Sequence, residues 1–324
     1  MKIKKINFYN YLYIILLILI ITLLIVFPSI TMTTFSEGLV LWAYKILPAL
    51  LPFFFLTKLL SYTNFTDKIS KILSPITYKL FGVGGVAGYI YIMSILSGYP
   101  VGAKLTADLY QNGTISIGQA HTITSFTSTS GPLFIIGTVG IGMFGNQKIG
   151  IILLISHFVS AFINGLLYRC KTDNNVNSIK FQNTGNNFLQ ESMLNSITSI
   201  LVVGGFVAIF YMGLKLITYL NLFVIPTWLL NKLGVPSVIS TSILSGLTEV
   251  TTGANILSAT SIDPSIKTII LSGLISFGGL SIHAQSYCFL KNFDMPYRTF
   301  LKQKVTHACL SMLVTLLIII FIKL

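Results

Sequence analysis

The chain has 324 residues, of which 53% are hydrophobic and only 9% are charged, and its mean hydropathy is strongly positive. This composition excludes an ordinary soluble domain and predicts an all-α polytopic membrane protein with about eight hydrophobic segments. The net charge of +13 is spread over short connections between apolar runs, which favours positive cytoplasmic loops over a nucleic-acid-binding face. The spacing of Cys170, Cys288 and Cys309 indicates neither a disulfide framework nor a zinc site.

The first hydrophobic segment, from Tyr11 to Phe27, follows three lysines among the first five residues. Because no small-residue cleavage site comes after it, we predict a retained anchor helix, with a signal peptide as the alternative. A short loop is expected after Pro28. Residues 1–35 therefore form an N-terminal anchor and loop.

The next apolar stretch, from Gly38 to Leu60, contains Pro48 and Pro52. Two prolines predict a kinked or locally unwound helix. Lysines crowd the connection that follows, and the segment from Thr66 to Lys79 is therefore predicted to be a cytoplasmic loop.

Two clusters of small and hydroxyl residues interrupt the apolar region from Phe81 to Gly145. They are Ser97-Gly98-Tyr99-Pro100 and Ser128-Thr129-Ser130-Gly131-Pro132. Such interruptions favour broken or re-entrant helices over clean spans. A clean span is predicted from Ile149 to Tyr168, followed by a polar cytoplasmic connector at residues 171–191.

The sequence contains an internal repeat. The string Ser-Ile-Leu-Ser-Gly ends at Gly98 and again at Gly246, and the later breaks at Gly131 and Gly279 keep the same spacing of 148 residues. Two landmarks that agree on one spacing indicate a duplication, which we divide into repeats at residues 36–170 and 192–324.

The second half repeats the plan of the first, with a span from Met193 to Leu220, a broken region from Pro236 to Leu290 and a final span from Val305 to Ile322. A basic loop is predicted between Lys291 and Lys304. When every basic connection is placed in the cytoplasm, the two halves run in opposite directions through the membrane. The predicted fold is thus an inverted repeat of the kind found in secondary transporters.

A broken helix exposes backbone groups that lipid cannot satisfy, so the four breaks are expected to line one shared polar cavity. Half-helix N-termini there would favour an anionic or strongly polar solute. The alternative is that Gly and Ser at these places only permit close helix packing. The candidate substrate-binding residues are Ser97, Gly98, Tyr99, Gly102, Lys104, Ser128, Thr129, Ser130, Gly131, Thr248, Glu249, Thr251, Thr252, Gly253, Gly278, Gly279, Ser281, His283 and Gln285.

Three ionisable candidates carry alternatives. Glu249 is the only acidic residue of its stretch and is expected to bind a coupling H⁺ or Na⁺ or to orient the substrate, unless it lies solvated at the aqueous edge. Lys104 either pairs with Asp108 one helical turn away or faces the cavity as an anion contact. His283 is either a proton-relay or substrate residue or a hydrogen-bonded structural one.

Enzyme chemistry has no support in the sequence, which lacks a phosphate-binding glycine loop, a nucleophile elbow and paired carboxylates. We therefore expect a protein that is not an enzyme and has neither a cofactor nor a bound metal, apart from the coupling ion. The expected partners are a small-molecule substrate and the lipid bilayer, with no nucleic acid, and a second copy of the chain or other sporulation membrane proteins are the further partners considered.

The four break motifs together resemble those of the YlbJ-type sporulation integral membrane proteins, of the nucleoside-recognition or Gate domain families. They are Ser97 to Lys104, Ser130 to Phe134, Leu247 to Gly253 and Gly278 to Gln285, and the resemblance extends from about Ser36 to the C-terminus.

This resemblance implies a protein of the outer forespore membrane of an endospore-forming bacterium, in a family linked to the movement of dipicolinic acid. The leading hypothesis is a transporter of a small anionic metabolite, dipicolinate first, by alternating access at a midplane site. The alternatives are a transporter of nucleoside-like solutes and a non-transporting assembly factor that recruits sporulation proteins through its basic loops.

Overall fold

The computed structural model describes residues 8–63, 65–170 and 187–322. Within these ranges the chain is helical and contains no strand, which confirms the predicted all-α class. Four helical stretches of the described residues are long and apolar enough to cross a membrane, one of which, Pro264–Phe293, continues through Gly278, and the number rises to six if each of two bent helix pairs counts as one span. Three shorter apolar helices complete the predicted set of hydrophobic segments.

The first half begins with helices that precede the repeat and ends with a long span. Its helices are α1 (Phe8–Val26), α2 (Pro28–Leu41), α3 (Leu47–Ser61), α4 (Phe65–Phe81), α5 (Val86–Ser97), α6 (Val101–Gln111), α7 (Ile117–Thr127) and α8 (Gln147–Leu167), with π-helical segments at Trp42–Ile46 and Leu133–Met143.

The second half consists of α9 (Phe188–Tyr219), α10 (Val224–Lys232), α11 (Ser237–Thr248), α12 (Val250–Ser258), α13 (Pro264–Phe277), α14 (Gly279–Leu290) and α15 (Tyr297–Ile322), with a 3₁₀ turn at Lys291–Phe293. At a spacing of 148 residues, α5, α6, α7 and α8 coincide with α11, α12, α13 and α15, and the π-helical segment Leu133–Met143 coincides with α14. The helix pattern therefore repeats along the chain as the sequence landmarks do.

The residues after Pro28 are helical, so the predicted loop there is wrong. Pro28 is the first residue of α2, where its fixed φ suits a helix and its missing N–H costs no hydrogen bond. A bend of 104° separates the apolar parts of α1 and α2. The proline-rich segment is irregular as predicted, because a π-helical segment, Trp42–Ile46, precedes Pro48 at the start of α3.

The predicted lysine loop from Thr66 to Lys79 is also wrong, because these residues lie in α4. Lysines 68, 71 and 79 are exposed, whereas Thr66 and Thr77 on the same helix are buried, so α4 is amphipathic. A prediction based only on the number of lysines assigns such a helix to a loop, because its exposed face is as rich in lysine as a cytoplasmic loop. The break between α4 and α5 is bent by 95°.

The predicted basic loop between Lys291 and Lys304 is shorter than expected, because α15 begins at Tyr297 and includes Lys302 and Lys304. Most of the predicted connector at residues 171–191 lies outside the described residues, and α9 already begins at Phe188.

The two halves pack on each other along corresponding helices. Helix α8 contacts α15, and α3 contacts α9. One hydrophobic cluster also joins both halves, since Ile135, Val139 and Leu153 pack with Leu257 and Leu271. The two halves therefore share a packed interface.

Candidate functional site

The breaks meet in pairs at glycines. A Cβ atom built on Gly98 would lie 2.7 Å from the backbone nitrogen of Gly131, and one built on Gly279 would lie 2.9 Å from the carbonyl oxygen of Gly246. Real Cβ atoms do not approach backbone so closely, so both contacts require glycine. The repeat spacing relates the two pairs, because Gly246 and Gly279 follow Gly98 and Gly131 by 148 residues.

Local backbone conformation explains why the helices end at these glycines. Gly98 follows the last residue of α5 with φ of 73°, and Gly278 follows the last residue of α13 with φ of 93°. Residues with side chains rarely adopt such positive φ values, whereas glycine does so readily. The regular helix therefore ends at its glycine in both places.

Tyr99 joins the two pairs of breaks. Its hydroxyl donates a hydrogen bond to the carbonyl oxygen of Ile275 in α13 at 3.3 Å, and its ring lies beside Gly278, where a Cβ atom would be 3.7 Å from Cζ. The four breaks predicted from the sequence thus form one connected cluster, which we call the break junction. It comprises residues 97–100, 128–131, 246–249 and 278–279.

Lys304 enters the break junction from α15 and was missed by the sequence analysis, which assigned it to a basic loop. Its side chain is 1% exposed. The Nζ atom donates hydrogen bonds to the Tyr99 hydroxyl at 2.7 Å and to the carbonyl oxygen of Ser128 at 2.9 Å, and it lies 4.7 Å from the centre of the Tyr99 ring. One lysine therefore bridges two breaks of the opposite half.

A helical spacing is the signal that would have identified Lys304. The buried side chains of α15 include Phe300, Lys304, His307, Ser311 and Thr315, and neighbours in this series are three or four residues apart. This spacing defines one inward face of a helix.

Two serine hydroxyls of the break junction have no hydrogen-bond partner among the described residues. They are the Oγ atoms of Ser97 and Ser128, whose residues are 5% and 6% exposed. Buried hydroxyls are normally satisfied, so both carry unused hydrogen-bonding capacity next to the glycine pair of the first half.

His157 of α8 supports the second break. The Ser130 N–H donates to its Nε2 at 2.9 Å, so the ring proton is on Nδ1, which donates to the Ser276 hydroxyl at 2.8 Å. His307 lies against His157 with ring centres 4.8 Å apart and donates from Nε2 to the His157 carbonyl oxygen at 3.0 Å. The sequence analysis gave neither histidine a role.

Glu249 begins α12 as its N-cap. Its carboxylate accepts hydrogen bonds from the N–H groups of Thr251 and Thr252, at 3.0 and 2.7 Å, and from the Thr252 hydroxyl at 2.8 Å. The residue is 7% exposed, which does not fit the solvated alternative. Both carboxylate oxygens face the positive end of a short helix, an arrangement that stabilises negative charge.

Both ring nitrogens of His283, in the helix that follows the fourth break, are hydrogen-bonded. Its Nε2 donates to the carbonyl oxygen of Phe277 at 2.9 Å, and its Nδ1 therefore accepts from the Tyr297 hydroxyl at 3.1 Å. On the same helix the Gln285 amide donates to the Ser281 hydroxyl at 3.2 Å.

The remaining candidates pack around the junction or lie away from it. Gly253 packs on Gly246, and Gly102 packs on the carbonyl group of Thr127, both too closely for a Cβ atom. The Thr129 hydroxyl pairs with that of Ser94, and the Thr248 hydroxyl bonds within α11. Lys104 is not brought to the junction: its Nζ lies over the Phe54 ring of α3 at 5.8 Å.

No group of three or more potential metal ligands occurs in the part of the chain that the structure describes. The junction offers one lysine side chain, free hydroxyls and helix ends, which suit binding of an anion, while its one carboxylate, that of Glu249, is already hydrogen-bonded to the start of α12.

These features define a polytopic α-helical membrane protein whose broken helices meet at one buried polar junction. A profile of the Gate family, described as "Nucleoside recognition", matches residues 43–148, which include the first two breaks. The chain is also 30% identical over 300 residues to the "Sporulation integral membrane protein YlbJ" of Bacillus subtilis (strain 168), across 84% of this chain and 74% of that protein. The chain belongs to the YlbJ family of sporulation integral membrane proteins. No solved structure matches it.

Proposed function

We propose that the protein carries a small anionic metabolite across a membrane by alternating access at the break junction. The observation behind this proposal is the convergence of four helix breaks, two from each repeat, on one cluster. Broken helices at the interface of two repeats are typical of substrate sites in secondary transporters. Opposite orientation of the two repeats in the membrane would make the junction accessible from each side in turn.

The proposed substrate is dipicolinate, carried across the outer forespore membrane during sporulation. A small aromatic dianion needs positive charge and hydrogen-bond donors, and the junction has a lysine and two free hydroxyls. Membership of a sporulation family is consistent with this choice of solute and location. Glu249 is proposed to couple transport to H⁺ or Na⁺ or to orient the substrate from the second half.

The test is uptake of radiolabelled dipicolinate by proteoliposomes that contain the purified protein, under an imposed proton or sodium gradient. We expect saturable uptake above that of protein-free liposomes. Folded, correctly inserted protein that shows no uptake under either gradient would contradict transport of this solute and favour the assembly-factor alternative.

Nucleosides are the second candidate, and the description of the matching family profile is what favours them. They belong in the same assay as unlabelled competitors. If a nucleoside abolishes dipicolinate uptake and is itself accumulated, the substrate is a nucleoside-like solute. If dipicolinate uptake is unaffected by a large excess of nucleosides, this candidate is excluded.

A further inference from the structure

We propose that Lys304 is the anion-binding residue of the break junction, pairing with a carboxylate of the solute while the hydroxyls of Ser97 and Ser128 donate hydrogen bonds to it. This assignment rests on the proposed function, which it extends by naming the charged residue and the group that it binds. Neither the sequence pattern nor the comparisons single out Lys304.

Lys304 has no acidic partner among the described residues. The oxygen atoms that accept its hydrogen bonds, on Tyr99 and Ser128, are neutral, and no carboxylate of the described residues is among its partners. A buried ammonium group without a counter-ion is costly in a membrane protein and usually marks a substrate or ion path.

Several hydrogen-bond donors around Lys304 are unused, and their number suits a carboxylate. An ammonium group has three donors, and the two hydrogen bonds of Lys304 in the described structure use two of them. A carboxylate accepts about four hydrogen bonds. The third N–H of Lys304 and the free hydroxyls of Ser97 and Ser128 together provide three donors, all from residues that are at least nine-tenths buried.

Close packing at the junction shows what binding requires. Gly98 lies directly against Gly131, so this packing leaves no room for a ligand between the two breaks. Alternating access moves one repeat against the other around the binding site. Lys304 comes from the second repeat and Ser128 from the first, so this movement would exchange the hydrogen bond between them for one from Lys304 to the ligand.

The test compares three ligands with one ring and an increasing number of carboxylates: pyridine, picolinate and dipicolinate. Binding to the detergent-purified protein is measured as the concentration-dependent rise in its thermal unfolding midpoint. We expect no effect of pyridine and the largest effect of dipicolinate. In Lys304→Met the apparent affinity for dipicolinate should fall at least about 10-fold, because a charge-assisted hydrogen bond is lost.

Lys267→Met is the matched control. Lys267 also donates to two backbone carbonyls, those of Ser258 and Thr260, and lies over an aromatic ring, that of Phe144 at 5.5 Å, but it is away from the junction. Its substitution should leave dipicolinate binding unchanged. If Lys304→Met does not fold, Ser97→Ala combined with Ser128→Ala tests the same site, with a smaller but measurable loss expected.

The outcomes separate this assignment from the proposed function. Dipicolinate binding that requires Lys304, without uptake by proteoliposomes, supports the anion site and contradicts transport. Uptake that Lys304→Met retains at the wild-type rate supports transport and overturns the assignment, as would a wild-type protein that pyridine and dipicolinate stabilise equally.

Discussion

Replacing Gly98 with alanine is expected to lower the stability of the protein by about 2–4 kcal/mol and to abolish uptake. Two effects add at this position. The φ of 73° is strained for any residue with a side chain, and the new methyl group would lie 2.7 Å from the backbone nitrogen of Gly131. Because backbone atoms cannot rotate away, the two breaks must separate. The measurement is the thermal unfolding midpoint in detergent, with uptake assayed on the folded fraction.

Gly145→Ala separates the two effects. Gly145 has φ of 61°, but nothing lies within 4 Å of a Cβ atom built on it. This variant should therefore show only the conformational cost, about 1–2 kcal/mol, and should retain uptake. Equal loss of stability in both variants would mean that the contact between the two breaks contributes nothing.

Glu249→Gln is expected to reduce gradient-driven uptake at least about 10-fold and to destabilise α12 by about 1–2 kcal/mol. The carboxylate accepts three hydrogen bonds, whereas an amide has one oxygen and would direct its NH₂ group at a remaining donor. The measurement compares uptake under an imposed gradient with exchange of labelled for unlabelled solute at equal concentrations. If Glu249 carries the coupling ion, exchange persists while gradient-driven uptake is lost.

Asp263→Asn is the corresponding control. Asp263 is also the N-cap of its helix, α13, where it accepts from the N–H groups of Ser265 and Ile266, but it is exposed. The Asp263→Asn variant should lose the hydrogen bonds of the helix cap and retain wild-type uptake. Wild-type uptake in Glu249→Gln would show that Glu249 is only a cap, as Asp263 is.

The repeat and the breaks could be predicted because they depend on local sequence. Positions that need a positive φ or a close contact require glycine, so these glycines can be recognised in the sequence. The duplication places them at equivalent positions of both repeats, as at Gly98 and Gly246. The loops were harder to predict. Lysines on the exposed face of α4 have the same composition as a cytoplasmic loop, and only their helical spacing distinguishes the two.

The candidate site could be predicted only in part, because its chemistry is assembled from distant helices. The sequence analysis named Tyr99 and Ser128, but the lysine that joins them is about two hundred residues further along the chain. Lys104 has a comparable local sequence context, yet it packs on Phe54 instead. Which of two lysines reaches a junction depends on tertiary packing, and local patterns do not contain that information.

The glycine frame of the junction is present in both repeats, but its charge is present in one. The repeat spacing pairs Lys304 with Ser156, a fully buried serine on α8, which packs against α15. A lysine at both positions would place two ammonium groups close together in a medium of low polarity, where like charges repel strongly. The two repeats can share one backbone architecture, but only one of them can supply the lysine, so their sequences must differ at this position. Divergence at this position follows from electrostatics, so the two halves of such a protein cannot be exchanged even where their backbones match.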